Sequence, residues 1–493
     1  MWYGFIYYMI FIFFVSISVF YLLRLFYISN FFKFDLTTNL FKYILNFFIF
    51  FAFWSLVALF YLFDFFSSFT WYSGGFSSQI EFFNYYFFDF SIWTSQLSLH
   101  LVSIYYFPFI YIFLVVTTLS VLFCMTYNSN ELLSFMFYVL VILMSGYVLF
   151  FTDSLILFFL AYEMLLVPSF FILYNFAKTR RCVEAAYLMF FWTQFGAMFL
   201  LFALLYLFFI CGTSSFYQIQ DFYFTSFEVN FLFTCWLIGF GVKLPIWPFY
   251  GWLPKAHVEA STNFSIFLSG VLVKFAFFGL LKCLISVHLE PTFYAVYPFL
   301  TIGIVDAVFK LFYQIDLKKL VAYSTVIEMH WLTICIVSGQ SALMLASFSM
   351  LISHALLSTN SFFIVDAISR RFKTRLITEV SGLNFLCPKL FIIGLLNTLV
   401  FLGFPGSIMF VSEILFFSFF FDLFPLLCLV YIVLLYLIGP TFFFRSWMNV
   451  LFGSSIHMLQ RLPADLMARE ALLYGGLIIL MFWLGVTWQA FVF

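Results

Sequence analysis

Four ionisable residues lie where a charge is costly: Glu163, Lys243, Lys274 and Glu413, each inside a long apolar run. A charged side chain at the bilayer centre costs about 2.5–3.5 kcal/mol on insertion scales. A partner or a wet cavity must offset that cost. Burial and an opposite neighbouring charge act on an acid or base in opposing senses. Acids and bases spaced through oil therefore point to proton exchange, with Lys243 the natural counter-charge of Glu163. Two other readings stay open: a lipid-facing carboxylate neutralised by protonation for Glu163, and snorkelling to the interface for Lys274.

The backbone around these residues is interrupted. Lys243 opens KLPIWPFYGWLP, with Pro245, Pro248 and Pro254 following. A helical proline lacks its N–H and crowds the carbonyl four residues back, so free carbonyls are expected at Gly241 and Leu244. Pro168 does the same to Met164 beside Glu163, and Gly403, Pro405 and Gly406 interrupt the run before Glu413. Broken helices at membrane depth are tolerated only where buried in protein or lining a water-filled cavity. His354, with Glu328 and His330 on the preceding helix, offers either relay groups or hydrogen-bonded packing. His257 and Glu259, near the inner end of the broken segment, suit a solvated role. Asp306/Lys310 and Asp366/Arg370 have ion-pair spacing on a helix, Asp153 is placed as an N-cap, and Lys318 and Lys319 mark an inner boundary.

The elements that position them follow from composition. Of 493 residues, 66% are hydrophobic and 9% charged, with mean hydropathy +1.12, whereas soluble chains carry about 25% charged residues. The fold class is an all-α polytopic membrane protein with about fourteen transmembrane helices. They are expected near 3–28, 40–66, 101–126, 131–151, 154–176, 184–211, 229–258, 263–287, 292–313, 317–338, 341–369, 388–420, 424–447 and 471–492, the seventh and twelfth broken. Two broken helices five spans apart, each with a buried charge, suggest an internal repeat in one membrane domain, 1–493. That domain divides into N-terminal helices (1–126) with an outer loop (67–100), a first repeat (131–287), a second (292–447) and a last helix (471–493). Of the 21 Lys and Arg residues, 18 fall at one side under this parse. The positive-inside rule then puts both termini outside and Arg370–Arg375 on the inner, matrix-like side, with Lys282 alone opposite.

A formal net charge of zero suggests no nucleic-acid partner. Eight scattered cysteines without CxxC disfavour iron–sulfur, zinc or disulfide roles, and no Gly-rich nucleotide loop follows a strand pattern. Neither a metal nor a directly bound cofactor is expected. The 85 Phe and 30 Tyr fit an AT-rich organellar genome or lipid-facing drift. No Arg/Ser-rich presequence is apparent, which fits synthesis inside the organelle.

KLPIWPFYGWLPKAHVEA, YEMLLVPSFF, DLKKLVAYST and SHALLSTNSFF together resemble the antiporter-like proton-pumping subunits of mitochondrial NADH:ubiquinone oxidoreductase (complex I), with WLPKAHVEA favouring the subunit 4 branch. The likeness covers roughly residues 150–415. It implies two inverted five-helix repeats and the mitochondrial inner membrane. Partners would be other membrane-arm subunits and lipids; NAD, FMN, iron–sulfur clusters and ubiquinone would be used elsewhere in the complex. It also implies roles: Glu163 paired with Lys243, Lys274 as central relay, Glu413 as terminal exchanging group, His354 extending the relay. Where the family commonly has Ser-His-Met-Gly, this chain has Ile327-Glu328-Met329-His330, and near the third span His100 replaces a common acidic residue. A subunit of a multisubunit sodium/proton antiporter, and a non-pumping structural subunit, are the competing readings.

Overall fold

With no water in the bilayer core, a chain this apolar must satisfy its backbone polar groups internally, which selects helices or closed barrels. The computed structural model describes residues 129–176, 179–287, 296–453 and 464–492. The first three expected spans, the loop 67–100 and His100 lie outside them. Among the described residues the chain is helical, with two isolated β-bridges, Ser154–Ser215 and Asp316–Leu376.

The helices are α1 (Ser129–Phe151), α2 (Leu155–Met164), α3 (Leu166–Asn175), α4 (Arg180–Cys211), α5 (Ser226–Lys243), α6 (Trp252–Glu259) and α7 (Thr262–Ser286). There follow α8 (Val296–Phe312), α9 (Leu317–Val337), α10 (Ser341–Phe372), α11 (Pro388–Phe401), α12 (Ile408–Leu423), α13 (Pro425–Phe452) and α14 (Ala468–Val492). Every expected span from 131–151 onward coincides with one of these helices or a broken pair. Among the described residues, seven are long and apolar enough to cross a membrane, with α2 and α3 counted as one. Burial ranks them: the most apolar window of α9 is 100% buried and that of α7 94%, against 39% for α4 and 28% for α13. The innermost helices are thus the ones that hold Lys274 and Glu328.

Both expected breaks form, and both contain a six-to-one backbone bond. At the end of α5, Leu244 N–H bonds Phe240 O (2.8 Å) and Ile246 N–H bonds Gly241 O (2.9 Å). The Gly241 carbonyl is therefore not free as the proline spacing predicted. The chain turns so that the next available N–H takes it, in the six-to-one bond that closes many helix C-termini. At the end of α11, Gly403 N–H bonds Val400 O (3.0 Å) and Phe404 N–H bonds Leu399 O (3.2 Å), with Gly403 at φ +67°. That is the full left-handed closure. Pro245 occupies the position of Gly403 and has no N–H, so the first break keeps only the outer bond. The interruption at Leu165, between α2 and α3, lies where Pro168 cannot donate to Met164.

Ion pairs expected from spacing are present at Asp306–Lys310 (2.8 Å) and Asp366–Arg370 (2.6 Å). Asp153 is not the N-cap of α2. That position belongs to Ser154, and Asp153 instead accepts from the Ser215 hydroxyl and from Tyr217 N–H (3.0 Å), tying the α1–α2 turn to the segment after α4.

Candidate functional site

Lys243 is the last residue of α5 and Glu163 stands near the end of α2. The two do not form an ion pair. Lys243 Nζ donates to Tyr162 O (3.1 Å) and sits 3.3 Å from the centroid of the Tyr162 ring. The last carbonyls of a helix lack intrahelical donors, so the end of α2 offers the ammonium an acceptor one residue before the expected carboxylate. Glu163 Oε2 accepts instead from Gln194 Nε2 on α4 (2.7 Å), and its Oε1 is buried without a hydrogen-bond partner.

Lys274 is 3% exposed. It lies two residues past a π-helical turn, Leu268–Leu272, and its Nζ donates to the Ser269 carbonyl of that turn. Single π turns inside α-helices are frequent at functional sites. A cavity of about 30 Å³, lined by Lys243, Ser169, Thr193, Leu268 and Leu272 among others, separates Lys243 from this turn. That is about the size of one water, but the lining is almost wholly apolar.

α10, which packs against the π turn, takes part in a buried pair. His354 Nδ1 of α10 is hydrogen-bonded to Glu328 Oε2 of α9, with both residues under 4% exposed. α10 packs against α9, against the π turn just before Lys274, and against α12, which carries Glu413. Lys274, Glu328, His354 and Glu413 therefore make one buried cluster of ionisable groups, on helices that pack around α10. His354 Nε2 and Glu413 Oε2 are buried without hydrogen-bond partners. The carboxylate of Glu413 rests against Gly403 of the second break, where any Cβ would collide with it.

His330 does not join the cluster. Its Nε2 accepts from Trp247 N–H (2.9 Å) and its Nδ1 donates to Val326 O (2.8 Å), so both ring nitrogens are bound to backbone. His257 is fully buried, not solvated, stacked on Phe362 at 5.0 Å. Half-buried Glu259 accepts from the Thr179 hydroxyl at 3.5 Å. Lys318, expected at a boundary, is buried and donates to Ala260 O (2.6 Å).

Sequence reasoning did not single out Tyr162 or Gln194, because their contacts join helices apart in the chain, nor Ser269, because the π turn that turns its carbonyl to Lys274 has no local signal. Nor did it predict the setting of Lys282, which is 7% exposed, donates to Thr152 O, and lies 5.1–5.8 Å from the rings of Phe158, Phe216 and Phe278. Among the described residues no group of three or more His, Cys, Asp or Glu is placed to hold a metal ion.

Residues 152–439 match the family described as NADH:quinone oxidoreductase/Mrp antiporter, TM. A chain from Paramecium tetraurelia named NADH-ubiquinone oxidoreductase chain 4 is 35% identical over 336 residues, 67% of this chain and 70% of that one. In fold the chain is similar to a subunit of the Mrp complex from Dietzia sp. DQ12-45-1b, at TM-score 0.71 and 16% identity, covering 82% of this chain and 84% of that one. It is also similar to a subunit of respiratory complex I from Thermus thermophilus, at TM-score 0.67 and 19% identity, covering 77% and 81%. Matched over more than half its length by that membrane family and over two thirds of a curated relative, the chain belongs to the NADH-ubiquinone oxidoreductase chain 4 family.

Proposed function

We propose that this chain is a proton-translocating membrane-arm subunit of respiratory complex I in the mitochondrial inner membrane. NADH oxidation and ubiquinone reduction would take place on FMN, iron–sulfur clusters and quinone held by other subunits. The observation that supports the reading is the buried cluster of Lys274, Glu328, His354 and Glu413 on four packed helices, α7, α9, α10 and α12. Its chemistry suits proton relay. An imidazole bonded through Nδ1 and open at Nε2 can accept a proton at one nitrogen and release one at the other. A charge change on Glu328 is felt at once by Lys274 and Glu413, since low local dielectric strengthens such interactions.

Lys243 and Glu163 would form the second acid–base station, with the small cavity lying between Lys243 and the π turn that precedes Lys274. Lys243 has Tyr162 as its resting partner, and Glu163 has Gln194. The pair would then exchange charge by swinging the lysine from the Tyr162 carbonyl to the unpartnered Oε1, a move of one residue along α2. Partners would be the neighbouring membrane-arm subunits and lipids.

The test is Lys274→Met or Glu413→Gln in the assembled complex. Lowered protons per electron with a normal level of complex supports the role; unchanged stoichiometry removes it. Association with sodium/proton antiporter subunits in place of quinone-reducing ones would favour the antiporter reading.

A further inference from the structure

The first broken segment is bonded to another helix through a single backbone N–H. In the first break, Pro245 and Pro248 have no N–H to give. The N–H groups of Leu244, Ile246 and Phe249 bond within the segment. Trp247 N–H alone is met by a side chain of another helix, His330 Nε2 at 2.9 Å.

That acceptor is fixed chemically. His330 Nδ1 is 2.8 Å from Val326 O, one turn earlier on α9. A carbonyl can only accept, so Nδ1 bears the hydrogen and Nε2 the lone pair. The ring's position is fixed sterically as well. A Cβ at Gly303 on α8 would collide with His330 Nε2 and come within 2.8 Å of Trp247 Cβ. Glycine at 303 and histidine at 330 therefore fit one another across α8 and α9. The same turn is held a second time. Tyr250 hydroxyl contacts Asp306 and accepts from Lys310 Nζ at 2.6 Å, and its ring meets His330 edge-on at 6.2 Å.

We propose that His330 is a positioning residue for Lys243: as the Nδ1–H tautomer it accepts the Trp247 N–H and anchors the unwound turn that begins one residue after that lysine. The role rests on the relay reading only in what the anchor is for, not in its existence. Glu328 and His330 divide the labour. Glu328 faces the buried cluster, and His330, two residues on, faces the break.

Two variants remove the same bond from opposite sides, His330→Phe by deleting the acceptor and Gly303→Ala by displacing the ring. His330→Gln restores an acceptor of similar reach. Hydrogen–deuterium exchange of a peptide spanning residues 244–250, in the intact complex, reads the anchor directly. We expect several-fold faster exchange in His330→Phe and Gly303→Ala and protection restored in His330→Gln. Protons per electron should fall in the first two and recover in the third. Unchanged exchange in both His330→Phe and Gly303→Ala would overturn the anchor. Faster exchange with unchanged stoichiometry would leave the anchor but remove its link to Lys243, and so overturn the positioning role. If Lys274→Met also pumped normally, the fault would lie in the relay reading. A variant complex that fails to assemble is replaced by the other, since the two act on different helices.

Discussion

Glu328 of α9 and His354 of α10 are hydrogen-bonded to each other in the interior, 26 positions apart in the chain. Removing one member of such a buried pair leaves the other uncompensated, at a cost of about 3–5 kcal/mol. Glu328→Ala is accordingly expected to reduce the amount of assembled complex. Glu328→Gln keeps a hydrogen-bonding group for His354 and should assemble. It should still lower proton transfer, because an amide does not titrate. Native-gel quantitation beside a pumping assay separates the two effects. Equal assembly of both variants would remove the structural weight given to the pair.

Tyr162 carries two opposed contributions. Its ring supports the Lys243 ammonium, an interaction of about 0.5–2 kcal/mol, while its hydroxyl is buried without a partner. Tyr162→Phe should be neutral or stabilising by about 1 kcal/mol, and Tyr162→Leu destabilising. Thermal inactivation of the complex measures the order of the three. Tyr162→Phe falling below Tyr162→Leu would contradict it.

Gly403 serves the second break in two ways, by its left-handed backbone and by leaving room for the Glu413 carboxylate. Gly403→Ala is predicted to cost about 1–3 kcal/mol from the backbone alone, and to move Glu413 as well. Lost stability together with lost pumping is the expected pair of results. A stable, normally pumping Gly403→Ala complex would show that the carboxylate need not sit where the break puts it.

Among the buried atoms without partners, the titratable ones of the proposed relay, Glu163 Oε1, His354 Nε2 and Glu413 Oε2, mark where ordered water is expected, because buried polar groups are almost always satisfied. A high-resolution map of the assembled complex should show waters at these three atoms. Apolar packing of a neighbouring subunit over all three would count against a hydrated path.

Much of this architecture is legible in the chain because charge and proline are conspicuous in oil. Lys243, Lys274 and Glu413 stand out against apolar neighbours, and Pro245, Pro248, Gly403 and Gly406 mark both breaks within a few residues. What is not legible is partnership. Lys243 and Glu163 have the right charges for an ion pair, yet the carbonyls at the end of α2 and the amide of Gln194 compete more closely for them. Glu328 and His330 are near neighbours on one helix with similar polarity. Only the packing of α8, the break and α10 around α9 separates a cluster member from a backbone anchor. Proline spacing finds the carbonyl of Gly241 but not the Ile246 N–H that turns back to it. Lys282 reads as a cation at an interface, since nothing local announces the three phenylalanine rings around it.

The central claim is that Lys274 lies on the path taken by protons. Its most direct test is the proton-to-electron ratio of assembled complex bearing Lys274→Met, compared with the unaltered complex at matched rates of quinone reduction. A lowered ratio with a normal level of complex is the predicted result. An unchanged ratio would contradict it.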